Sequence, residues 1–329
     1  MSDVPAEAKA RADATPTDYS LGRLPGVTAQ GCFGGRCFGT DWQADLELDL
    51  FDSAPPCEDS GTITVRLVTS LGERRLRQVS PRMELADDGF RLRWDDEATF
   101  DAFTNGVINV LPGSQWCGTL PATFYSTVAA IMLAWRGLLP LHMSSVVLNG
   151  RALLIGGASG AGKSTLAAEL IGAGAQFLAD DLTVLRWQEG PLLATRGRST
   201  MRLYPQVAGT INHHCTRPIP EDVRGKLLVW PRNRAADESY PIGGIIILDQ
   251  DSQRPLNGAE KWRLLARCVF RPRIIGQTPA AATIHRHVQD LASTHRLRVM
   301  PILEQHDTSG REAKLARLLA WMAETAKRA

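Results

Sequence analysis

The chain has 329 residues, of which 44% are hydrophobic and 22% charged, with 37 basic residues against 35 acidic ones. This composition is typical of a folded globular protein of about two domains. The near balance of charge excludes a global field that would recruit nucleic acid or an anionic membrane, so no such partner is predicted. The six cysteines include no Cys-x-x-Cys pair, and we expect reduced thiols and a cytoplasmic location.

The first third of the chain predicts a tail and a small β-rich domain. Residues 1–25 are polar and rich in Pro and Ala, without the apolar segment of a signal peptide or anchor, so we expect a disordered tail. Residues 41–94 contain short alternating runs broken by Pro, Gly and Asp-Gly, which is typical of a sheet with tight turns. We therefore predict a β-rich accessory domain over 26–115, of unassigned role, and a second domain over 116–329.

The second domain begins with a predicted helix over residues 123–136, whose apolar stretch is too short to cross a membrane. Two predicted strands follow, at 144–148 and 151–155. They flank Asn149-Gly150, a dipeptide that favours a two-residue type I′ hairpin turn.

The register of this hairpin draws attention to His142. A two-residue turn pairs 148 with 151, 146 with 153 and 144 with 155, and the same register continued by one more step sets His142 opposite Gly157. A histidine there can coordinate a metal or hold a phosphate oxygen. The alternative is a core histidine whose ring nitrogens bond to the backbone.

Residues 157–164 read GASGAGKS and satisfy G-x-x-x-x-G-K-[ST] between a predicted strand and a predicted helix. In such a loop the backbone N–H groups turn inward on phosphates, Lys163 reaches the β and γ oxygens, and the Ser164 hydroxyl ligates Mg²⁺. The motif therefore predicts ATP and Mg²⁺. The predicted nucleotide-binding residues are Gly157, Ala158, Ser159, Gly160, Ala161, Gly162, Lys163, Ser164 and Thr165.

A pair of carboxylates, Asp180-Asp181, closes the next predicted strand at 176–179. If that strand runs parallel to the one before the P-loop, its carboxyl end lies at the same edge of the sheet. The pair then offers a metal ligand and a candidate base toward a hydroxyl. The alternative is a solvated acidic turn. Farther on, residues 242–248 predict a strand buried on both faces, and residues 311–327 an amphipathic helix.

Basic residues downstream offer candidates for stabilising a transferring phosphoryl group. Arg224 and Lys226 lie in a polar loop and could clamp it, and a solvated basic loop is the alternative. Arg271 and Arg273 around Pro272 have the same two interpretations.

The order and spacing of LHMSS at 141–145, the hairpin, GASGAGKST and LADD at 178–181 resemble the HPr kinase/phosphorylase and PEP carboxykinase-like group of P-loop proteins. Within this group the sequence is most similar to HPr-kinase-related proteins of lasso-peptide biosynthesis, which phosphorylate a serine of a precursor peptide. The resemblance covers about residues 105–329. It implies an α/β fold with a mixed sheet and flanking helices, preceded by the smaller β-rich domain.

The resemblance also implies roles for individual residues. Asp180 would act as base toward the acceptor hydroxyl, Asp181 would hold the metal with Ser164, and His142 would lie at the metal and phosphate end. Thr165 stands where HPr kinases usually carry an acidic residue, and residues 223–226 are only a partial counterpart of their long C-terminal signature. These departures argue against HPr as the acceptor and against the reverse phosphorolysis reaction.

Three functions follow from these observations. The first is a kinase acting on a serine or threonine of a peptide or small protein, as a lasso precursor peptide would be. The second is a small-molecule kinase of the same fold with an enclosed acceptor site, and the third a nucleotide-dependent binding module without transfer. A homo-oligomer is compatible with all three.

Overall fold

The structure is a computed structural model that describes residues 32–55, 61–187, 192–219, 224–249 and 256–301, together with positions 313, 316, 318, 320 and 321. The chain divides into two units. The first comprises 1–35, 41–48 and 53–121, and the second comprises 36–40, 49–52 and 122–329. The predicted tail, residues 1–25, lies outside the described residues.

The N-terminal part of the chain forms a nine-stranded sheet in the order β3-β1-β2-β4-β9-β8-β7-β6-β5. Alternation explains its strands: β4 buries Ile63, Val65 and Leu67 while the residues between them are more exposed. The β-rich character expected of this region is confirmed. The strands are β1 (Phe33–Cys37), β2 (Thr40–Ala44), β3 (Asp52–Ala54), β4 (Ile63–Leu67), β5 (Arg77–Ser80), β6 (Met83–Ala86), β7 (Gly89–Trp94), β8 (Ala98–Phe103) and β9 (Val107–Pro112).

The second unit is built on a mixed sheet in the order β10-β14-β15-β19-β12-β11-β13, with β20 paired to β19. A smaller sheet among the described residues has the order β16-β18-β17. The strands are β10 (Leu139–Leu141), β11 (Ser144–Leu148), β12 (Arg151–Gly157), β13 (Gln176–Ala179), β14 (Thr183–Trp187), β15 (Leu192–Thr195), β16 (Met201–Leu203), β17 (His213–Pro218), β18 (Leu227–Pro231), β19 (Ser239–Asp249) and β20 (Leu297–Pro301).

The predicted hairpin is present with the predicted register. Ser144 pairs with Ile155 and Leu148 with Arg151. Asn149 and Gly150 have φ of 52° and 72°, as a type I′ turn requires.

The long strand β19 contains the predicted apolar run and pairs in parallel with β12. Strand β13 pairs antiparallel with β11, which is itself antiparallel to β12. Strands β12, β13 and β19 therefore run in one direction, and their carboxyl ends meet at one edge of the sheet. At that edge the P-loop follows β12, and Asp180 and Asp181 follow β13.

Helices cover the sheet, and α2 is the one that follows the P-loop. Its residues Leu166 and Leu170 join Val146 and Ile155 in one buried cluster, and this burial anchors the loop to the sheet. The predicted helix at 123–136 is present as a π-helical turn, Phe124–Val128, continued by α1. The α-helices are α1 (Ala129–Trp135), α2 (Lys163–Gly172), α3 (Pro205–Ala208), α4 (Gly258–Cys268), α5 (Pro272–Ile275) and α6 (Ala281–Thr294).

The predicted amphipathic helix at 311–327 lies largely outside the described residues. The five described positions within it are helical. Leu318 is buried in the α2 cluster, and the indole of Trp321 lies against Gly244. Within the described ranges, the structure contains no helix with the length and apolar character needed to span a bilayer.

Candidate active site

The loop between β12 and α2 has the backbone conformation of a phosphate cradle. Gly157, Gly160 and Gly162 have φ of 143°, 85° and 94°, values that side chains disfavour. A Cβ at Gly157 would lie 2.7 Å from the Leu248 carbonyl oxygen, so the close parallel pairing with β19 also requires glycine there. Gly162 is the N-cap of α2, and the helix N-terminus with its free N–H groups therefore opens on the loop.

Lys163 lies folded over this loop. Its Nζ donates to the carbonyl oxygens of Gly157 and Ala158, at 3.0 Å each. Burial lowers the pKa of the Lys163 ammonium from its usual value, and the nearby Asp180 and Asp181 oppose that change. The ammonium is held beside the cradle by carbonyl groups, which phosphate oxygens can replace.

Asp180 is buried at the end of β13, with 1% of its surface exposed. Its Oδ1 accepts hydrogen bonds from the hydroxyls of Ser164, at 2.7 Å, and Ser144, at 2.6 Å. Its Oδ2 accepts from the backbone N–H of Arg202 at 2.9 Å. Three donors therefore hold one carboxylate rigidly against the P-loop serine. The resemblance implies that Asp181 partners Ser164, whereas the structure brings Asp180 to it.

Asp181 has a left-handed backbone, with φ of 69°, and its carboxylate lies beside His142 and Arg198. This conformation is uncommon for a residue other than glycine, although Asp tolerates it better than most. The side chain is 20% exposed and lies between two cationic or proton-donating groups. Its Oδ1 is 3.3 Å from His142 Nδ1, and its Oδ2 is 3.5 Å from Nη2 of the buried Arg198.

The electrostatic balance keeps the Asp181 carboxyl ionised. Burial by itself raises the pKa of this group, but the hydrogen bond from His142 and the charges of Arg198, His142 and Arg202 together hold it well below its usual range. Asp181 is therefore an anion that reaches solvent, whereas the side chain of its neighbour Asp180 is buried.

His142 lies beside Asp181 rather than opposite Gly157, which corrects the register argument. The pairing of β11 with β12 ends at Ser144 and Ile155, because the chain just before β11 leaves the hairpin and pairs as β10 with β14 instead. The backbone N–H of His142 donates to the Cys268 carbonyl oxygen at 2.6 Å.

The ring of His142 is held by Asp181 from the other side. Its Nδ1 is 2.9 Å from the Asp181 carbonyl oxygen. A carbonyl only accepts, so Nδ1 carries the hydrogen. In the neutral ring Nε2 is then an acceptor, and the side chain is 35% exposed.

Nucleotide and metal fit this arrangement. The described residues contain no cluster of three or more His, Cys, Asp or Glu that would hold a metal by itself. Mg²⁺ usually binds through one or two protein oxygens together with substrate phosphates. The Ser164 hydroxyl and the Asp180 carboxylate, 2.7 Å apart at the mouth of the cradle, are a donor set of that kind.

No family model matches the chain, and no curated protein matches it. Among solved structures the chain is similar to the Hpr(Ser) kinase/phosphatase from Coxiella burnetii. The two are 20% identical, the match covers 36% of this chain and 70% of that one, and the TM-score is 0.25. A similarity of this extent establishes neither family nor activity.

The two basic loop residues proposed from the sequence differ in their surroundings. Arg224 is exposed in a turn. The Lys226 ammonium lies 5.0 Å from the centroid of the Tyr204 ring, and its charge contributes, after burial, to the lowered pKa of Lys163. Thr165, in the first turn of α2, is half-buried.

Three contributors to the site were not expected from the sequence. Ser144 bonds to Asp180 through its hydroxyl, and Arg202 through its backbone N–H. Arg198 is 1% exposed and also donates to the Asp180 carbonyl oxygen at 3.3 Å. Arg198 and Arg202 belong to the segment RGRSTMR, which carries no known motif. Two arginines shortly after an acidic pair in the sequence were the only signal from which an ion pair with that pair could have been predicted.

Proposed function

We propose that this protein is a Mg²⁺-dependent ATP phosphotransferase that acts on an alcohol. One observation carries the proposal: Ser164 of the phosphate cradle and Asp180 are joined by a 2.7 Å hydrogen bond, and a second, partly exposed carboxylate with a histidine lies next to them. A nucleotide-binding module without transfer needs Ser164 and Asp180, but it has no use for the second carboxylate and its histidine.

On the nucleotide side, the loop N–H groups and the N-terminus of α2 would hold the β and γ phosphates. Lys163 would exchange its two carbonyl partners for phosphate oxygens. Ser164 and Asp180 would hold Mg²⁺, which when bound neutralises charge on the β and γ oxygens. Asp180 suits this role because its three fixed hydrogen bonds leave little freedom for it to accept and release a proton.

On the acceptor side, Asp181 would orient the hydroxyl and take its proton. As the acceptor oxygen forms its bond to the γ phosphorus, the bond from that phosphorus to the leaving β-phosphate oxygen breaks and ADP departs. Because the transition state of phosphoryl transfer is loose, the proton moves late and positioning matters more than basicity. A carboxylate of low pKa that stays ionised meets this requirement. The proposal exchanges the roles that the resemblance implies for Asp180 and Asp181.

For the acceptor we propose a serine or threonine of a peptide, with a lasso precursor peptide as the leading example. The class comes from the resemblance of residues 105–329. The partial exposure of the His142 and Asp181 side chains agrees with it, because an acceptor carried on a long chain needs a site that reaches solvent.

The test incubates the full chain with Mg²⁺-ATP and a panel of precursor peptides, and follows the added mass of one phosphate by mass spectrometry with fragmentation. A phosphorylated serine or threonine that disappears in Asp181→Asn supports the proposal. Turnover of free metabolite alcohols with unmodified peptides would move the assignment to a small-molecule kinase. ATP binding without any transfer would leave a binding module.

A further inference from the structure

The continuous described segment 256–301 carries an excess of positive charge, which the chain as a whole does not. Residues 256–301 contain eight Lys and Arg against two acidic residues, whereas the full sequence has 37 against 35. Arg263, Arg267, Arg271 and Arg273 are exposed. None of the four forms an ion pair with a carboxylate in the described part of the chain. Their charge is therefore available to a partner.

These arginines form a row that leads to the candidate active site. Arg263 and Arg267 stand four residues apart on α4, on one side of the helix. Helix α4 ends at Cys268, whose carbonyl accepts from the backbone N–H of His142. Arg271 lies 6.0 Å from the Phe270 ring, and that ring packs edge-on against His142 with centroids 5.7 Å apart.

The other end of the row opens on a groove between α4 and α6. It has a volume of about 470 Å³. From Gly258 to Cys268 the helix spans about 15 Å, at about 1.5 Å per residue, which four or five residues of an extended peptide also cover. The groove is lined by Gly258, Ala259, Trp262, His285, Gln289 and Ser293.

We propose that this face of α4 docks an acidic, extended segment of the phosphoryl acceptor, with one apolar side chain in the groove and carboxylates on Arg263 and Arg267. The inference rests on the proposed function, since it names the class of peptide that the site accepts. The spacing agrees: four residues of helix rise about 6 Å, and two residues of extended chain about 6.6 Å, so alternate side chains meet successive arginines.

Nucleic acid, the other polyanion, fits this face less well. Unpaired bases need free aromatic faces to stack on. The Trp262 ring is packed against His285 with centroids 5.1 Å apart, and Trp187 is stacked on His287 at 3.7 Å. Each of these two indoles is therefore partly covered by a histidine ring, which leaves less aromatic surface for a run of bases.

The binding test uses the full chain without nucleotide and three fluorescein-labelled probes, read by fluorescence anisotropy. The first is a peptide with glutamate at alternate positions, one leucine and a serine; the second replaces glutamate by glutamine; the third is a single-stranded oligonucleotide. We expect the glutamate peptide to bind most tightly. Arg263→Glu and Arg267→Glu should each weaken it by about 2- to 5-fold, the range of an exposed ion pair.

The matched control is Arg296→Glu, which makes the same charge change at an exposed arginine off the row. It should leave the affinity unchanged. A second variant, Ser293→Trp, fills the groove and should abolish the advantage of leucine over alanine in the peptide while keeping the preference for glutamate.

Equal losses in Arg267→Glu and Arg296→Glu would overturn the inference, as would equal binding of the glutamate and glutamine peptides. Tighter binding of the oligonucleotide with the same arginine dependence would make the row a nucleic-acid surface instead. Failure of the proposed function is distinguishable from failure of this inference. A protein that binds the acidic peptide through these arginines but transfers no phosphate would support the docking surface and contradict the kinase function. Peptide phosphorylation at an unchanged rate in Arg263→Glu and Arg267→Glu would support the kinase function and contradict the docking surface.

Discussion

Replacing Asp180 with Asn separates the two possible assignments of the acidic pair. An amide has one accepting oxygen and one NH₂ donor, whereas Asp180 accepts from Ser144 and Ser164 on one oxygen and from the Arg202 N–H on the other. With the amide oxygen toward the Arg202 N–H, the NH₂ group faces the hydroxyls of Ser144 and Ser164, which can rotate to accept from it. The three hydrogen bonds are then kept but change from a charged to a neutral acceptor or donor, a difference of about 1 kcal/mol for each bond. The free energy of unfolding, from urea denaturation, should therefore fall by at most about 3 kcal/mol.

The same substitution should weaken Mg²⁺-ATP more than metal-free ATP. We set the loss of the Asp180 charge beside the metal equal to that of a hydrogen bond to a charged group, about 1.5–3 kcal/mol. This corresponds to about 10- to 150-fold in affinity for Mg²⁺-ATP. Isothermal titration calorimetry with and without Mg²⁺ measures this difference. The matched variant, Asp181→Asn, should retain Mg²⁺-ATP affinity and lose about 10² to 10⁴ in transfer rate. The opposite pattern, with Mg²⁺ dependence lost only in Asp181→Asn, would refute our reasoning and restore the roles that the family resemblance implies.

Three further predictions concern neighbouring residues. Lys163→Ala should abolish ATP binding in calorimetry with the fold retained by circular dichroism, and unchanged ATP affinity would contradict the nucleotide site. Gly157→Ala should lower the free energy of unfolding by about 1–3 kcal/mol, because its Cβ would meet the Leu248 carbonyl at 2.7 Å; Gly72→Ala, with open space around it, should not. Arg198→Met should reduce kcat with little change in KM for ATP, and Arg198→Lys should recover part of the loss; a change confined to KM would assign Arg198 to nucleotide binding instead.

Some features follow from the sequence because neighbouring residues decide them. Asn149-Gly150 specifies a type I′ turn through positive φ at both positions, and that turn sets the hairpin register. The glycines and Lys163 of the P-loop likewise act within eight consecutive residues. The apolar run in β19 predicts a strand buried on both faces, since the residues that point to either face of the sheet are apolar.

The division of labour between Asp180 and Asp181 depended on tertiary structure. The two residues are adjacent, and their order says nothing about which of them faces Ser164. Asp181 has a left-handed φ and contacts His142 and Arg198, whereas hydrogen bonds from Ser144, Ser164 and Arg202 hold Asp180 at the P-loop. His142 could not be placed by extending the hairpin, because the strand that precedes it, β10, pairs with β14 and not with β12. Such placements depend on contacts between residues far apart in the chain, and local periodicity and turn chemistry carry no information about them.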